Sequence, residues 1–196
     1  MEVQRNSILD SKLSQIIVTI LLISLIVVAR LLPSPPNFAP VAAVGLFAGV
    51  YIRAKWAIWI PIAGMMLSDL FLPGYAARGR LIVYGAFFLT GIIGRLISRR
   101  DFFNKKGKAG AKVLRGVFGT LSAAILFFLI TNNIFLYTPA MYTMDFSGMM
   151  QSYTMGLPFF RYQLMGDLLY SGVLFGSFEF AKVLIAKKSE TVKLRS

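Results

Sequence analysis

Eight polar side chains stand where an otherwise apolar chain has no ordinary use for them: Arg30, Asn37, Asp69, Tyr84, Asn132, Asn133, Arg161 and Asp167. An ionisable group inside an apolar helix is costly, so each invites a binding or catalytic reading. The two carboxylates and two guanidinium groups can pair with one another or with opposite charges on a solute. The three amides and the phenol can orient such a solute by hydrogen bonds. Asp69 and Asp167 also form the minimum set for acid–base catalysis, but no recognised catalytic string accompanies them, and no enzyme is expected. The chain has no Cys and no His. That removes disulfides, thiolate and imidazole metal ligands, and the commonest general base. A zinc hydrolase and a Ser-His-Asp hydrolase are therefore excluded, and neither a metal nor a cofactor is expected. The Lys- and Gly-rich run from Lys105 to Lys112 does not fit G-x-x-x-x-G-K-[ST] and follows an apolar helix, not a strand. The chain thus carries no nucleotide-hydrolysing motif of its own.

The elements that must position these residues follow from the apolar blocks. Hydrophobic residues make up 57% of the 196, above the roughly 45–50% of soluble domains. They fall in blocks long enough for helices that cross about 30 Å of hydrocarbon. The spacing predicts an all-α, polytopic membrane bundle of about six transmembrane helices, over 15–32, 38–52, 56–72, 81–97, 113–137 and 164–185. A polar N-terminal tail, 1–14, precedes the 15–186 membrane domain, and a basic tail, 187–196, follows it. The first block reads as an uncleaved helix, because no cleavage site and no basic n-region mark it as a signal peptide. The prolines of 33–36 make a turn. On the second helix Ala42, Gly45 and Gly49 share a face that admits another helix closely, and Gly172 with Gly176 is expected to pack likewise. Trp56 and Trp59 suit a membrane interface. The half-apolar segment 138–163 is expected to hold a short helix lying on or dipping into the bilayer.

Charge then sets orientation. The net charge of +13 first suggests nucleic acid, but the basic residues sit at block ends, as the positive-inside rule requires, and no nucleic-acid partner is expected. With a cytoplasmic N-terminus, six spans put 17 of the 21 Lys and Arg inside, leaving Arg30, Arg78, Arg80 and Arg161 outside. Both termini are then cytoplasmic. The eight polar residues fall together near the outer ends of the helices, whereas Glu179 lies inward with Lys182 three residues on, spaced for an ion pair.

Each of the eight also has a plain structural reading. Asp167 can complement the N-terminus of its own helix, Arg30 can snorkel to the headgroups, and Arg30 can pair with Asp69 or Asp167. Two readings of the whole remain open. In one, the residues line an outward-facing cavity that binds a small polar or anionic solute, the acids meeting the Arg residues or cationic groups of the solute. In the other, the chain is a scaffold, similar to a rod-shape-determination subunit, with polar pairs packed closely and no ligand.

Several strings carry a resemblance: Pro36–Val41, Met66–Leu70, Val83–Ala86, Ile93–Arg95, Thr131–Asn132, Pro158–Arg161 and Gly166–Tyr170. Over roughly residues 15–180 their order and spacing resemble a family of small, uncharacterised bacterial membrane proteins. That family in turn is similar to the substrate-binding (S) components of energy-coupling-factor transporters. The resemblance implies a subunit of the bacterial inner membrane that captures a vitamin-like nutrient from outside and passes it to a transmembrane coupling subunit with ATPases. S components often present an Ala-x-x-x-Ala face on the first helix for that partner. Here Ala29 is the only alanine of the first helix, and Ala39 and Ala43 place the spacing on the second.

Overall fold

Ser11 opens the first helix by accepting a hydrogen bond from the Ser14 backbone N–H at 2.9 Å, which satisfies one of the free donors of a first turn. Helix α1 (Lys12–Leu31) stops where Pro33 forces the residue before it into extended backbone, and Leu32 has ψ 144°. The computed structural model describes residues 9, 11–72, 74, 76–99, 109–137 and 141–193. Among them every regular element is helical: α2 (Val41–Tyr51), a 3-10 turn (Lys55–Trp59), α3 (Ile60–Asp69), α4 (Ala77–Arg99), α5 (Ala109–Thr131), α6 (Ile134–Tyr137) and α7 (Phe146–Lys193) follow α1. Four of these, α1, α4, α5 and α7, are long and apolar enough to cross a membrane. Ile16, Ile17, Ile20, Leu21 and Val28 of α1 are all exposed. A solvent-facing apolar stripe of that size is compatible with a membrane protein. The basic-loop residues Arg100, Lys105, Lys106 and Lys108 and the tail 1–8 lie outside the described residues.

The expected second and third spans have a different form from the other four. Helix α2 has 11 residues, a rise of only about 16 Å, and ten of them are buried. It is the central post of the bundle, packed against α1, α3, α4, α5 and α7. The third block is split between the 3-10 turn and α3. The face of α2 that carries Gly45 and Gly49 does meet another helix closely. A Cβ on Gly49 would lie 2.5 Å from the Gly91 carbonyl oxygen, and one on Gly94 2.7 Å from that of Leu46. The α2–α4 seam is therefore a backbone-to-backbone contact that only glycine permits. Gly172 and Gly176 depart from expectation: an added Cβ at either meets nothing within 4 Å, so among the described residues this pair packs no helix.

The segment before the sixth span also differs. In place of a separate helix on or dipping into the bilayer, residues from Phe146 onward belong to α7, which runs 48 residues with Pro158 inside it. Proline deprives the Thr154 carbonyl of its helical donor. The turn is held from outside instead: the Ser152 hydroxyl donates to the Asn132 carbonyl and the Tyr153 hydroxyl to the Leu129 carbonyl, each at 2.9 Å. Phe160 stacks on Phe128 with ring centroids 4.4 Å apart. These contacts fasten the first part of α7 to the end of α5, and the helix passes through the proline unbroken.

The end of the bundle at the C-terminus of α2 is closed by charge. Arg95 donates to the Ile52 carbonyl at 2.9 Å and the Arg53 carbonyl at 2.7 Å, at and just past the C-cap of α2, which sets its charge near the helix's negative pole. Buried Glu179 accepts from Tyr51 at 2.8 Å and pairs with Lys182 at 2.6 Å, as the spacing predicts. Lys112 of α5 approaches its other oxygen at 3.8 Å. Phe47, Tyr51, Phe175 and Phe178 pack beneath this knot.

Candidate solute-binding cavity

At the other end of α2 lies a partly open cavity of about 550 Å³, within the roughly 300–1,000 Å³ usual for small-molecule sites. Besides Arg30 of α1 and Val41 of α2, three sources supply its walls. The last residue of α1, Leu31, and the loop 32–39 cover one side; the loop cannot become helical because its prolines lack N–H donors. Its turn closes through Asn37, whose φ of 63° lies in the left-handed region that Asn tolerates better than most residues. The Phe38 N–H then bonds the Pro35 carbonyl at 3.0 Å. Apolar side chains of α3, α4 and α5, among them Met65, Val83, Phe87 and Phe127, make the body of the wall. Helix α7 contributes Gln163 and Asp167, one turn apart on one face.

Asp167 is the residue that stands out. It lies far inside α7, whose N-terminal aspartate is Asp145, so it does not complement the start of its own helix. It faces the first turn of α2 instead. The residue is 1% exposed. The Ala43 N–H, a free donor of that first turn, and the Gln163 amide both approach it, yet neither carboxylate oxygen has a completed hydrogen bond and Gln163 Nε2 has none either. A buried carboxyl without completed hydrogen bonds is costly, and here it lines a partly open cavity of ligand size.

Arg30 lines the same cavity, but its charge is already matched. It lies 2.7 Å from Asp69 Oδ1, an ion pair by distance whose angle is not that of a hydrogen bond. It also donates to the Met65 carbonyl at 3.1 Å and to the Ser68 hydroxyl. Tyr84 donates to Asp69 Oδ2 at 2.6 Å. Asp69 and Tyr84 thus hold Arg30 from behind and are not among the lining residues. Asn132 lies on a smaller, adjoining cavity of about 170 Å³, which shares Asn37, Val83, Phe127 and Gln163 with the larger one. The remaining two residues lie apart. Asn133 Oδ1 accepts from the Phe135 N–H at 3.1 Å, capping α6. Arg161 is exposed and lies over the Tyr162 ring, donating to its hydroxyl at 2.7 Å.

Of the eight sequence candidates, Arg30, Asn37 and Asp167 line the larger cavity and Asn132 joins at its margin. Gln163 was not among the candidates, although it lies four residues before Asp167. A helix taken to begin at 164 leaves it in a loop, whereas the observed α7 makes the i, i+4 relation meaningful. Ser68 was likewise missed: its position next to Asp69 gives no sign that it would turn toward Arg30. Among the described residues no group of His, Cys, Asp or Glu could hold a metal ion.

A family model described as "Family of unknown function (DUF6580)" matches residues 10–189, and the chain belongs to that family. No curated protein matches the chain, and no solved structure does.

Proposed function

We propose that the chain, whose family carries no assigned activity, is a transport-related subunit of a bacterial inner membrane that binds a small solute between α2, α5 and α7, in the manner of an S component. Its carrying observation is the cavity of about 550 Å³ with the buried, unpartnered carboxylate of Asp167 on its wall. In this reading six passes set both termini in the cytoplasm and open the cavity outward, and the energy for uptake comes from a partner subunit or an ion gradient. A short buried helix starting at the site, preceded by irregular backbone, suits this role, because non-helical chain at membrane depth is tolerated where it lines a cavity. Binding of a panel of candidate nutrients to the purified chain tests the reading. The expected result is a ligand whose affinity falls in Asp167→Asn and in Val83→Trp, which fills the wall common to both cavities. Affinity that is the same in Asp69→Asn, Asp167→Asn and the parent chain defeats it.

A second reading draws on the Arg30–Asp69–Tyr84 cluster, whose mutual contacts of 2.7 and 2.6 Å are those of a packed structural group. It favours a scaffold without ligand. Under it Val83→Trp raises or leaves unchanged the thermal stability, and no solute shifts it.

A further inference from the structure

We infer that the solute of this cavity is a small cation, one that presents a protonated amine or amidine to Asp167 and lays an apolar or aromatic body along Phe87, Phe127 and Val83. The inference rests on the site proposed above and deepens it. Three observations carry it. First, the ionisable groups at the cavity do not pair off: Arg30 is matched by Asp69 at 2.7 Å, which leaves Asp167 as an acid without an ion-pair partner among the described lining residues. Second, neither oxygen of that carboxyl has a completed hydrogen bond and the residue is 1% exposed, so bulk water does not satisfy it, and a donor that reaches it from the cavity through a small shift of the Asp167 and Gln163 side chains would. An amine or amidine brings both the opposite charge and N–H groups aimed at an acceptor that ionised Asp offers in bidentate form. An anion would gain no opposite charge from this acid. Third, most of the wall is apolar or aromatic, with Phe87 and Phe127 stacked at 4.3 Å between centroids, a surface suited to a flat or hydrocarbon body and to cation–π attraction. The first turn of α2 directs a free N–H toward the same acid, which keeps Asp167 oriented without consuming both of its oxygens.

The test compares probes of matched shape and different charge on the full-length chain in detergent, at neutral pH, with empty micelles subtracted. The cations are phenethylamine and benzamidine, the neutral isosteres phenethyl alcohol and benzamide, and the anions phenylacetate and benzoate. Dissociation constants come from ligand-observed NMR titration. The cations are expected to bind more tightly than their neutral isosteres by about tenfold or more, the worth of a charge-assisted hydrogen bond in such a site, with the anions weakest. Asp167→Asn abolishes the preference while retaining the neutral probes. Should that variant fail to fold, the ranking of the three classes on the parent chain decides the matter alone. Neutral or anionic probes binding as well as the cations overturns the inference and leaves the cavity as a solute site. Absence of binding by every class overturns both.

Discussion

Asn37 separates two things a single side chain can do. Its backbone sits at φ 63°, where a β-branched residue is strained and glycine is not, while its amide borders both cavities. Asn37→Val is expected to destabilise the chain by about 1–2 kcal/mol through backbone strain, read as a lower thermal midpoint in detergent. Asn37→Gly keeps the turn, so binding lost in that variant belongs to the amide. Asp145 gives the complementary case at the start of α7, far from the cavity. It accepts from the Gly148 N–H at 2.8 Å and the Thr143 hydroxyl at 2.8 Å, and these bonds hold its carboxyl below the ordinary aspartate value of 3.8. A depressed folded-state pKa means stabilisation present above the unfolded value and lost as pH falls through the folded one. Asp145→Ala should therefore speed hydrogen exchange of the amides of 146–150 at neutral pH, with the difference from the parent chain shrinking as pH drops below 3.8. The sequence reading took Asp167, not Asp145, for the residue at a helix start, because proline and glycine between 139 and 158 made that stretch look broken.

At the scale of elements the same kind of residue has two fates. The small face of α2 was legible, since Gly45 and Gly49 recur on one side of a short apolar helix, and the structure sets it against Gly91 and Gly94 of α4. The Gly172–Gly176 pair has the same spacing and meets nothing within 4 Å. Spacing reports that a close approach is permitted; only the arrangement of the other helices decides whether one occurs. Gly94→Val is accordingly expected to cost about 1–3 kcal/mol, because the new side chain must push the α2 backbone away, whereas Gly172→Leu should leave the thermal midpoint within about 0.5 kcal/mol equivalent of the parent. The joining of 146–163 to α7 was illegible for a related reason. Pro158 breaks a helix when judged alone, and the bonds from Ser152 and Tyr153 to α5 that stabilise the turn connect residues 20 and 24 positions apart. Of the eight polar residues expected together, Asn133 and Arg161 lie apart, and the Arg30–Asp69 pair and the lack of an ion-pair partner for Asp167 depend on rotations about three different helices that no periodicity specifies.

For the molecule as a whole, the chain has two ends of opposite character along α2. One gathers Arg95, Lys112, Glu179 and Lys182 around the C-terminus of the helix, and the other gathers Arg30, Asp69, Tyr84 and Asp167 near its start. Four helices suffice by length to cross a bilayer, and two topologies accommodate them. In both, α1, α4, α5 and α7 cross, and Ser34 and Thr143 lie on one side with the termini on the other. They differ in a single place. If α2 and the 3-10 turn with α3 each complete a crossing, Lys55 reaches the side of the termini; if the pair forms a re-entrant fold, Lys55 stops within the bilayer. Arg53 and Lys55 are exposed, and charged side chains at hydrocarbon depth are too costly to be left without an aqueous route, while the neighbouring exposed Trp56 and Trp59 suit an interface. Six crossings are therefore expected. The absence of cysteine makes the experiment direct: single Ser34→Cys, Lys55→Cys and Thr143→Cys chains are treated with a membrane-impermeant maleimide in right-side-out and inverted vesicles. With the termini cytoplasmic, six crossings require Ser34 and Thr143 to label in right-side-out vesicles and Lys55 in inverted ones. Labelling of Lys55 from the side of Ser34, or from neither, makes α2 and α3 a re-entrant pair and reduces the crossings to four.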